Sequence, residues 1–364
     1  MSGTGNFISE WFGHRVYPEA IGTQKSKEDQ SNCLCPFLTI AKGAATECVK
    51  APASKGVCTI NAPSNGAPQD WVVCPYRIFD NNLLKGLVKN LYSIPEGEQY
   101  HLYAAPLLEK PNKRTEIFRL LHEGHRVFLY FDQKLGGEIQ ISATANSPQM
   151  LFDVTLVEIF AVNTYELGLG KFAIMEIQTM DFHGSYRNAV LRINNALELH
   201  PNNFYEELNR NQWWLAEKIE GPNIANVFKR TFYQLMFKFQ IASSAICAGC
   251  VITIPESVWD SWQAFLGSPT LIHVGADEYV LPGADIEAEV LSNSWIYVVN
   301  ADFESGVTPS TLLIKKRIRC SATDLAHYAI GEAPKAAIAE LESSIMPTLV
   351  RRIHKFWKVK INIS

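Results

Sequence analysis

The sequence has no apolar run long enough to cross a bilayer, so helical membrane spans are not expected. Its first residues, MSGTGNFISEWFGHR, lack the basic-then-apolar layout of a secretory signal. Both absences lead to the expectation of a cytoplasmic protein. Positive charge is not in excess either. The 33 Lys and Arg stand against 37 Asp and Glu, for a formal net charge of -4. That argues against a chain coated with nucleic acid and leaves room for one basic cleft. No internal repeat or low-complexity segment is present. Disulfides are not expected in a reducing compartment, so the eight Cys read as metal ligands or as buried thiols.

What is present is the composition of a folded enzyme-sized chain, with 47% hydrophobic and 19% charged residues over 364 positions. Residues 1–80 hold five of the eight Cys among Gly, Ala, Ser and Pro, with little periodicity. They predict a loop-rich segment that needs a staple, within an N-terminal region of residues 1–90. Residues 91–364 are more regular. Strands are predicted at YHLYAAP, HRVFLYF, EIQIS, FDVTLVEIF, KFAIMEIQT, WIYVVN and STLLIKKRIRC. Helices are predicted at TEIFRLLHEG, YRNAVLRINNALEL, NIANVFKRTFYQLMFKFQIA and the basic tail. In the third of these, Ile224, Val227, Phe228, Thr231, Phe232, Leu235, Met236 and Phe239 fall on one face. Strands interleaved with helices indicate a mixed α/β core.

Within FAIMEIQ an acid, Glu176, interrupts an apolar run. A buried acid costs free energy unless it is paired. Gln178 lies two positions on, hence on the same strand face, and Asp153 precedes Glu176 by 23 positions on another predicted strand. Two carboxylates brought together repel unless a divalent cation sits between them. Mg²⁺ suits such oxygen ligands and keeps waters for chemistry. It can activate water and neutralise charge on a scissile phosphate. An acid, a gap, then acid-x-Lys is the PD-(D/E)xK nuclease pattern, here with Gln in place of Lys. Gln carries no charge and cannot serve as a base, but it can orient water or turn its carbonyl to a metal. Glu138, after two glycines in LGGEIQIS, is a further candidate acid. The alternative is a set of solvated strand-end carboxylates.

Cys35, Cys48, Cys58 and Cys74 are separated by 12, 9 and 15 residues. None forms the close pair common in zinc modules, and Cys33 competes with Cys35. Four thiolates at tetrahedral distance would bind Zn²⁺ or Fe and would order a segment without a core. Free buried thiols are the alternative. Cys247-Ala-Gly-Cys250 lacks a thioredoxin-like context and reads as structural, and Cys320 has no evident partner.

The runs NFISEWFGHRVYPE, CPFLTIAK, CVKAPASKGVC, VVCPYR, KLGGEIQIS, FDVTLVEI, MEIQTMDFHGSY, EGPNIANVFKRTFYQ and IPESVWDSW, in this order from residue 6 to about 263, resemble the NotI family of type II restriction endonucleases. The last third resembles it more loosely. The resemblance implies a PD-(D/E)xK core (a mixed central sheet flanked by helices, residues 91–364) with an N-terminal metal module. It implies a homodimer that cuts both strands of double-stranded DNA at a GC-rich palindrome, beside a cognate DNA methyltransferase in the same cell. Asp153 and Glu176 match its catalytic, Mg²⁺-holding acids, Gln178 its replacement for Lys, and Glu138 a further active-site acid. Cys35, Cys48, Cys58 and Cys74 match the ligands of a structural iron, with zinc as the other metal such a site accepts. A non-cutting DNA-binding protein of the same fold is the alternative function.

Three stretches offer DNA contacts. DFHGSYR supplies His183, Ser185, Tyr186 and Arg187 after the catalytic strand. NIANVFKR supplies Asn223, Asn226, Lys229 and Arg230 at a helix start, where anions are favoured. QKLGG supplies Lys134. Arg and Lys suit guanine edges in the major groove, and each of these side chains could equally be solvated. The tail RRIHKFWKVK suits nonspecific phosphate contact, although Phe356 and Trp357 could be core.

Overall fold

The computed structural model describes residues 5–64, 66–163, 166–283, 293–339 and 341–358. The N-terminal region forms four strands, β1 (Phe7–Trp11), β2 (His14–Arg15), β3 (Val57–Ser64) and β4 (Ala67–Val72), in the order β2-β1-β3-β4. Three helices accompany them: α1 (Gln24–Ser31), α2 (Pro36–Lys42) and α3 (Asn81–Leu91). The expectation of a loop-rich segment is therefore corrected. The strands alternate poorly because β3 is buried over most of its length, so no inside–outside period shows in its sequence.

The remaining strands are β5 (Tyr100–Ala104), β6 (Arg126–Asp132), β7 (Ile139–Ile141), β8 (Met150–Phe152), β9 (Val154–Asn163), β10 (Glu166–Ile177), β11 (Cys247–Pro255), β12 (Ile272–Gly275), β13 (Glu278–Val280), β14 (Ser294–Ala301) and β15 (Leu312–Arg319). Strands β7 and β8 form a separate ribbon. The other nine make one mixed sheet in the order β12-β13-β15-β14-β11-β10-β9-β6-β5. At its centre β10, β11 and β14 run parallel, and β9 lies antiparallel to β10. The helices α4 (Pro111–His122), α5 (Arg187–Leu199), α6 (Phe204–Arg210), α7 (Ile224–Ile241), α8 (Glu256–Trp262), α9 (Ala322–Ala326), α10 (Ala333–Ala339) and α11 (Leu341–Phe356) complete the fold. The result is a mixed α/β architecture with a large central sheet flanked by helices. Among the described residues no helix is long and apolar enough to cross a membrane.

Side chains alternate across the central strands and divide the core in two. Ile174, Ile252 and Ile296 pack with Val227, Leu235 and Phe239 of α7. Met175, Val251 and Tyr297 pack with Leu84, Leu87 and Val88 of α3. Strand β10 is covered on both faces, which explains the unbroken apolar run FAIM. By the same parity Glu176 and Gln178 belong to the α7 face. That face is reached because α5, α6 and α7 form the crossover between the parallel strands β10 and β11.

The N-terminal sheet has no core to itself. Ile8, Trp11, Ile60 and Trp71 join Ala189, Ile193, Phe204 and Leu208 from α5 and α6 in a single cluster. Helix α3, on the N-terminal side of the expected 90/91 boundary, packs on β11 and β15. A fully buried ion pair closes the seam. Arg77 Nη2 stands 3.3 Å from Glu10 Oε1. Arg77 Nη1 donates to the carbonyl of Ser310, just before β15, and the Thr59 hydroxyl donates to Glu10. Burial pushes the Glu10 carboxyl above its usual range, against the pull of Arg77. Breaking such a pair leaves a charge without a partner and costs about 3–5 kcal/mol. Arg77→Met is therefore expected to lower stability by that order in urea unfolding. The Glu10→Gln, Arg77→Met double variant should lose clearly less than the two single losses added together.

Candidate active site

The site is built where β9 leaves the β7–β8 ribbon beside the carboxyl end of β10. Asp153 sits in the bend between β8 and β9, and Val154 pairs with Met175. This places Asp153 beside Glu176. The Asp153 N–H donates to Glu176 Oε1 at 3.2 Å, and the Ile177 N–H donates to Asp153 Oδ2 at 3.0 Å. Gln178 follows the strand, and its N–H donates to the Thr253 carbonyl on β11 at 3.0 Å. The three residues line one pocket of about 30 Å³, with Thr231, Gln234, Leu235 and Lys238 of α7 opposite. That is room for a water or a single metal ion.

Glu176 has a protein partner that the sequence reading did not name. Lys238 Nζ forms an ion pair with Glu176 Oε2, and both side chains are buried. The Lys238 ammonium also stands 5.9 Å from the Phe152 ring centroid. Burial, reinforced by the charge of Asp153, pushes the Glu176 carboxyl up to about 8 in spite of Lys238. Two carboxylates in a tight, half-dry pocket with one ammonium are short of positive charge. The donor set therefore suits a divalent cation.

Gln178 is oriented on both sides. Its Nε2 donates to the Thr179 carbonyl at 2.7 Å, and its Oε1 accepts from the Thr231 hydroxyl. Thr231, expected on the apolar face of α7, thus has a polar task there; its hydroxyl also lies 2.8 Å from the Val227 carbonyl. A third acid, Asp132, ends β6. Burial raises its carboxyl, and the charges of Glu138 and Asp153 add to the shift. Glu138 itself is exposed just before β7 and is not among the residues lining the pocket, although its charge reaches Asp132.

The sequence carried signals for these missed residues. Lys238 is a charge inside the apolar stripe YQLMFKFQ, seven positions after Thr231 and so on the same face. Asp132 ends a buried strand, as Glu176 nearly does.

The expected DNA contacts gather on one surface. The His183 N–H donates to the Gly221 carbonyl at 3.0 Å and the Asn223 N–H to the Asp181 carbonyl at 2.8 Å. Arg230 forms an ion pair with Asp181. These bonds bring DFHGSYR and NIANVFKR side by side next to Gln178 and Thr231. His183, Ser185, Arg187, Asn226, Lys229 and Arg230 are exposed. Tyr186 and Asn223 are half-buried as the residues before α5 and α7, and neither side chain makes a capping bond. Lys134 is exposed in the turn after β6, and its N–H donates to Asp132 Oδ1. In the tail, Phe356 and Trp357 are 90% and 68% exposed, which removes the option that they are core. Residues 359 and 360 of the expected basic tail lie outside the described residues.

The four spaced thiols are also brought together. Cys35, Cys48, Cys58 and Cys74 share one cluster, while Cys33 packs elsewhere, with a positive φ of 53°. The Cys58 thiol donates to the Gly56 carbonyl at 3.5 Å. Burial pushes Cys35 up to about 12 and raises Cys48, with Cys74 adding to both shifts, and Cys58 is raised by its neighbour Cys74 and by burial. Neighbouring Cys58, with Lys50 and Arg77 nearby, pulls Cys74 down. Cys35 and Cys74 each precede a helical turn begun by Pro, so free N–H groups face them: Leu38 and Phe37 for Cys35, Tyr76 for Cys74. The Gly56 N–H donates to Cys48 Sγ at 3.4 Å. Such donors suit thiolates. Among the described residues no group of three or more Cys, His, Asp or Glu already stands at metal-ligating geometry. Cys247 and Cys250 lie in β11 and are buried with Cys320 as free thiols.

The raised Glu176 has a sign that can be checked. Between its unfolded value near 4.5 and its folded value near 8 the folded state holds the extra proton. Without divalent ions, Glu176 should therefore cost stability progressively as pH rises across that window. Urea midpoints measured from pH 5 to 8 should fall less steeply for Glu176→Gln than for the wild type. No family model matches the chain, and no curated protein matches it.

Proposed function

We propose that this chain is a type II restriction endonuclease with a PD-(D/E)xK core, cutting double-stranded DNA at a GC-rich palindrome. The observation that carries the reading is the convergence of Asp153, Glu176 and Gln178 on one pocket at the carboxyl end of a central strand. Binding sites in parallel sheets favour that edge. Mg²⁺ bound there would supply an activated water and neutralise charge on the phosphate. Asp153 and Glu176 would hold the ion. Gln178, its amide fixed by Thr231 and Thr179, orients the water that attacks phosphorus. The 3′ oxygen leaves and the product carries a 5′-phosphate. Glu138 stands by as a further acid on the Asp132 side.

The exposed His183, Ser185, Arg187, Asn226, Lys229 and Arg230 form the face that meets DNA, with Tyr186 and Asn223 supporting it and Lys134, in the turn after β6, as a further contact. A palindrome read by both strands calls for a homodimer, and a resident cutter calls for a protective methyltransferase. Cys35, Cys48, Cys58 and Cys74 hold a structural iron or zinc. Facing N–H groups and nearby Lys50 and Arg77 favour the thiolate at Cys74, and a bound cation would offset the burial that raises Cys35 and Cys48.

The deciding experiment is a digest of a sequenced GC-rich phage genome with Mg²⁺. Discrete fragments sharing one end sequence are expected. Asp153→Ala and Glu176→Ala should lose cutting by roughly 100-fold or more while keeping DNA binding in Ca²⁺. An uncut genome bound tightly in Ca²⁺ would replace the nuclease with a non-cutting reader, and neither cutting nor binding would remove the DNA function. Elemental analysis of the purified protein should find about one Fe or Zn per chain. Cys58→Ser should lose the ion and Cys33→Ser should keep it.

A further inference from the structure

Lys238 is the one charged side chain of α7 that is buried. A long helix that packs an apolar stripe on a sheet does not need an ammonium in that stripe, and burying one costs several kcal/mol. Its Nζ reaches the pocket rather than solvent. It pairs with Glu176 Oε2, the oxygen not engaged by the Asp153 N–H. Gln178, at the place where the nuclease pattern puts Lys, lines the same pocket as an uncharged amide held by Thr231. Positive charge is therefore absent from the strand and supplied by the helix.

We propose that Lys238 is the active-site cation of this chain, holding the metal's place on Glu176 in the metal-free protein and moving onto the scissile phosphate when the metal binds. The inference rests on the nuclease reading for its second half only. The ammonium and a divalent ion compete for one carboxylate oxygen, so each weakens the other there. Once released, the ammonium has the reach of a flexible four-carbon stem and three donors. It can hydrogen-bond a non-bridging phosphate oxygen while Gln178 orients the water. Removing it costs transition-state stabilisation even though it eases metal binding. A residue present only for packing would show neither effect.

The first test is metal binding without DNA, read by Mn²⁺ titration calorimetry on wild type, Lys238→Met and Lys238→Arg. Lys238→Met is expected to bind Mn²⁺ about tenfold more tightly, because loss of one positive charge favours a divalent ion about twice as much as it favours a competing proton. Lys238→Arg should stay near wild type. A folded Lys238→Met with unchanged or weaker Mn²⁺ binding would overturn the placeholder. Should Lys238→Met not fold, Lys238→Gln, which keeps a donor toward Glu176, takes its place in the same comparison.

The second test is cleavage. Lys238→Met should cut roughly 100-fold more slowly than wild type despite its tighter metal. Adding Gln178→Lys to that variant should restore about tenfold of the loss by returning the charge to the strand. Wild-type cutting by Lys238→Met, or no gain from Gln178→Lys, would overturn the phosphate role. A wild-type protein that cuts nothing yet shows the Mn²⁺ difference would sink the nuclease reading and keep the placeholder, so the two failures are distinguishable.

Discussion

The contact between Glu176 and Lys238 sets the terms for the centre of this molecule. A carboxylate at the end of a buried strand and an ammonium in the buried stripe of a helix are each costly alone. Together they fix where α7 lies along β10 and β11, because only one register brings the two charges into contact. With α7 placed, Thr231 meets Gln178 and the start of the helix meets the loop after β10. The pocket, the orientation of the Gln178 amide and the basic rim are thus one geometric consequence.

The N-terminal region is tied into the same arrangement. Val72, at the end of β4, accepts a hydrogen bond from Met180 at 3.0 Å, two residues after Gln178. Cys74 follows Val72 by two positions. The thiol cluster and the pocket are therefore joined by a few residues of backbone. The Glu10–Arg77–Ser310 contact secures the other side of that region against β15. Burial of a charged pair at a seam is a poor source of stability but a strong constraint on geometry, since misalignment leaves charges unpaired. A thiol cluster placed there would hold the loop that follows β10, which gives the N-terminal region a reason to be where it is.

Much of the fold was legible in the sequence because its strands are central. FAIMEI, WIYVV and RVFLYF are buried on both faces, and continuous apolar runs of that length mark parallel or central strands. Helix α7 was legible through its stripe, and the acids through their offence against burial. The four spaced Cys were legible as a set only through the family resemblance; their spacing alone left them open. The N-terminal strands were not legible, since small residues, Pro and Cys hide their alternation and their core is completed by α5 and α6, far along the chain.

The sequence by itself determined the mixed α/β class, the central strands and the presence of a buried acid, Glu176, in want of a partner. It also contained Lys238, but a one-dimensional reading cannot say which buried cation meets which buried anion. Only the tertiary structure decided that, by laying the crossover helix on β11 and bringing a residue from α7 against one from β10. It likewise decided that Asp132 joins the acids, that Thr231 is polar in use and that the loop after β10 and the first turns of α7 form one face. Pairing across a crossover depends on the packing of whole elements, and no local pattern encodes it.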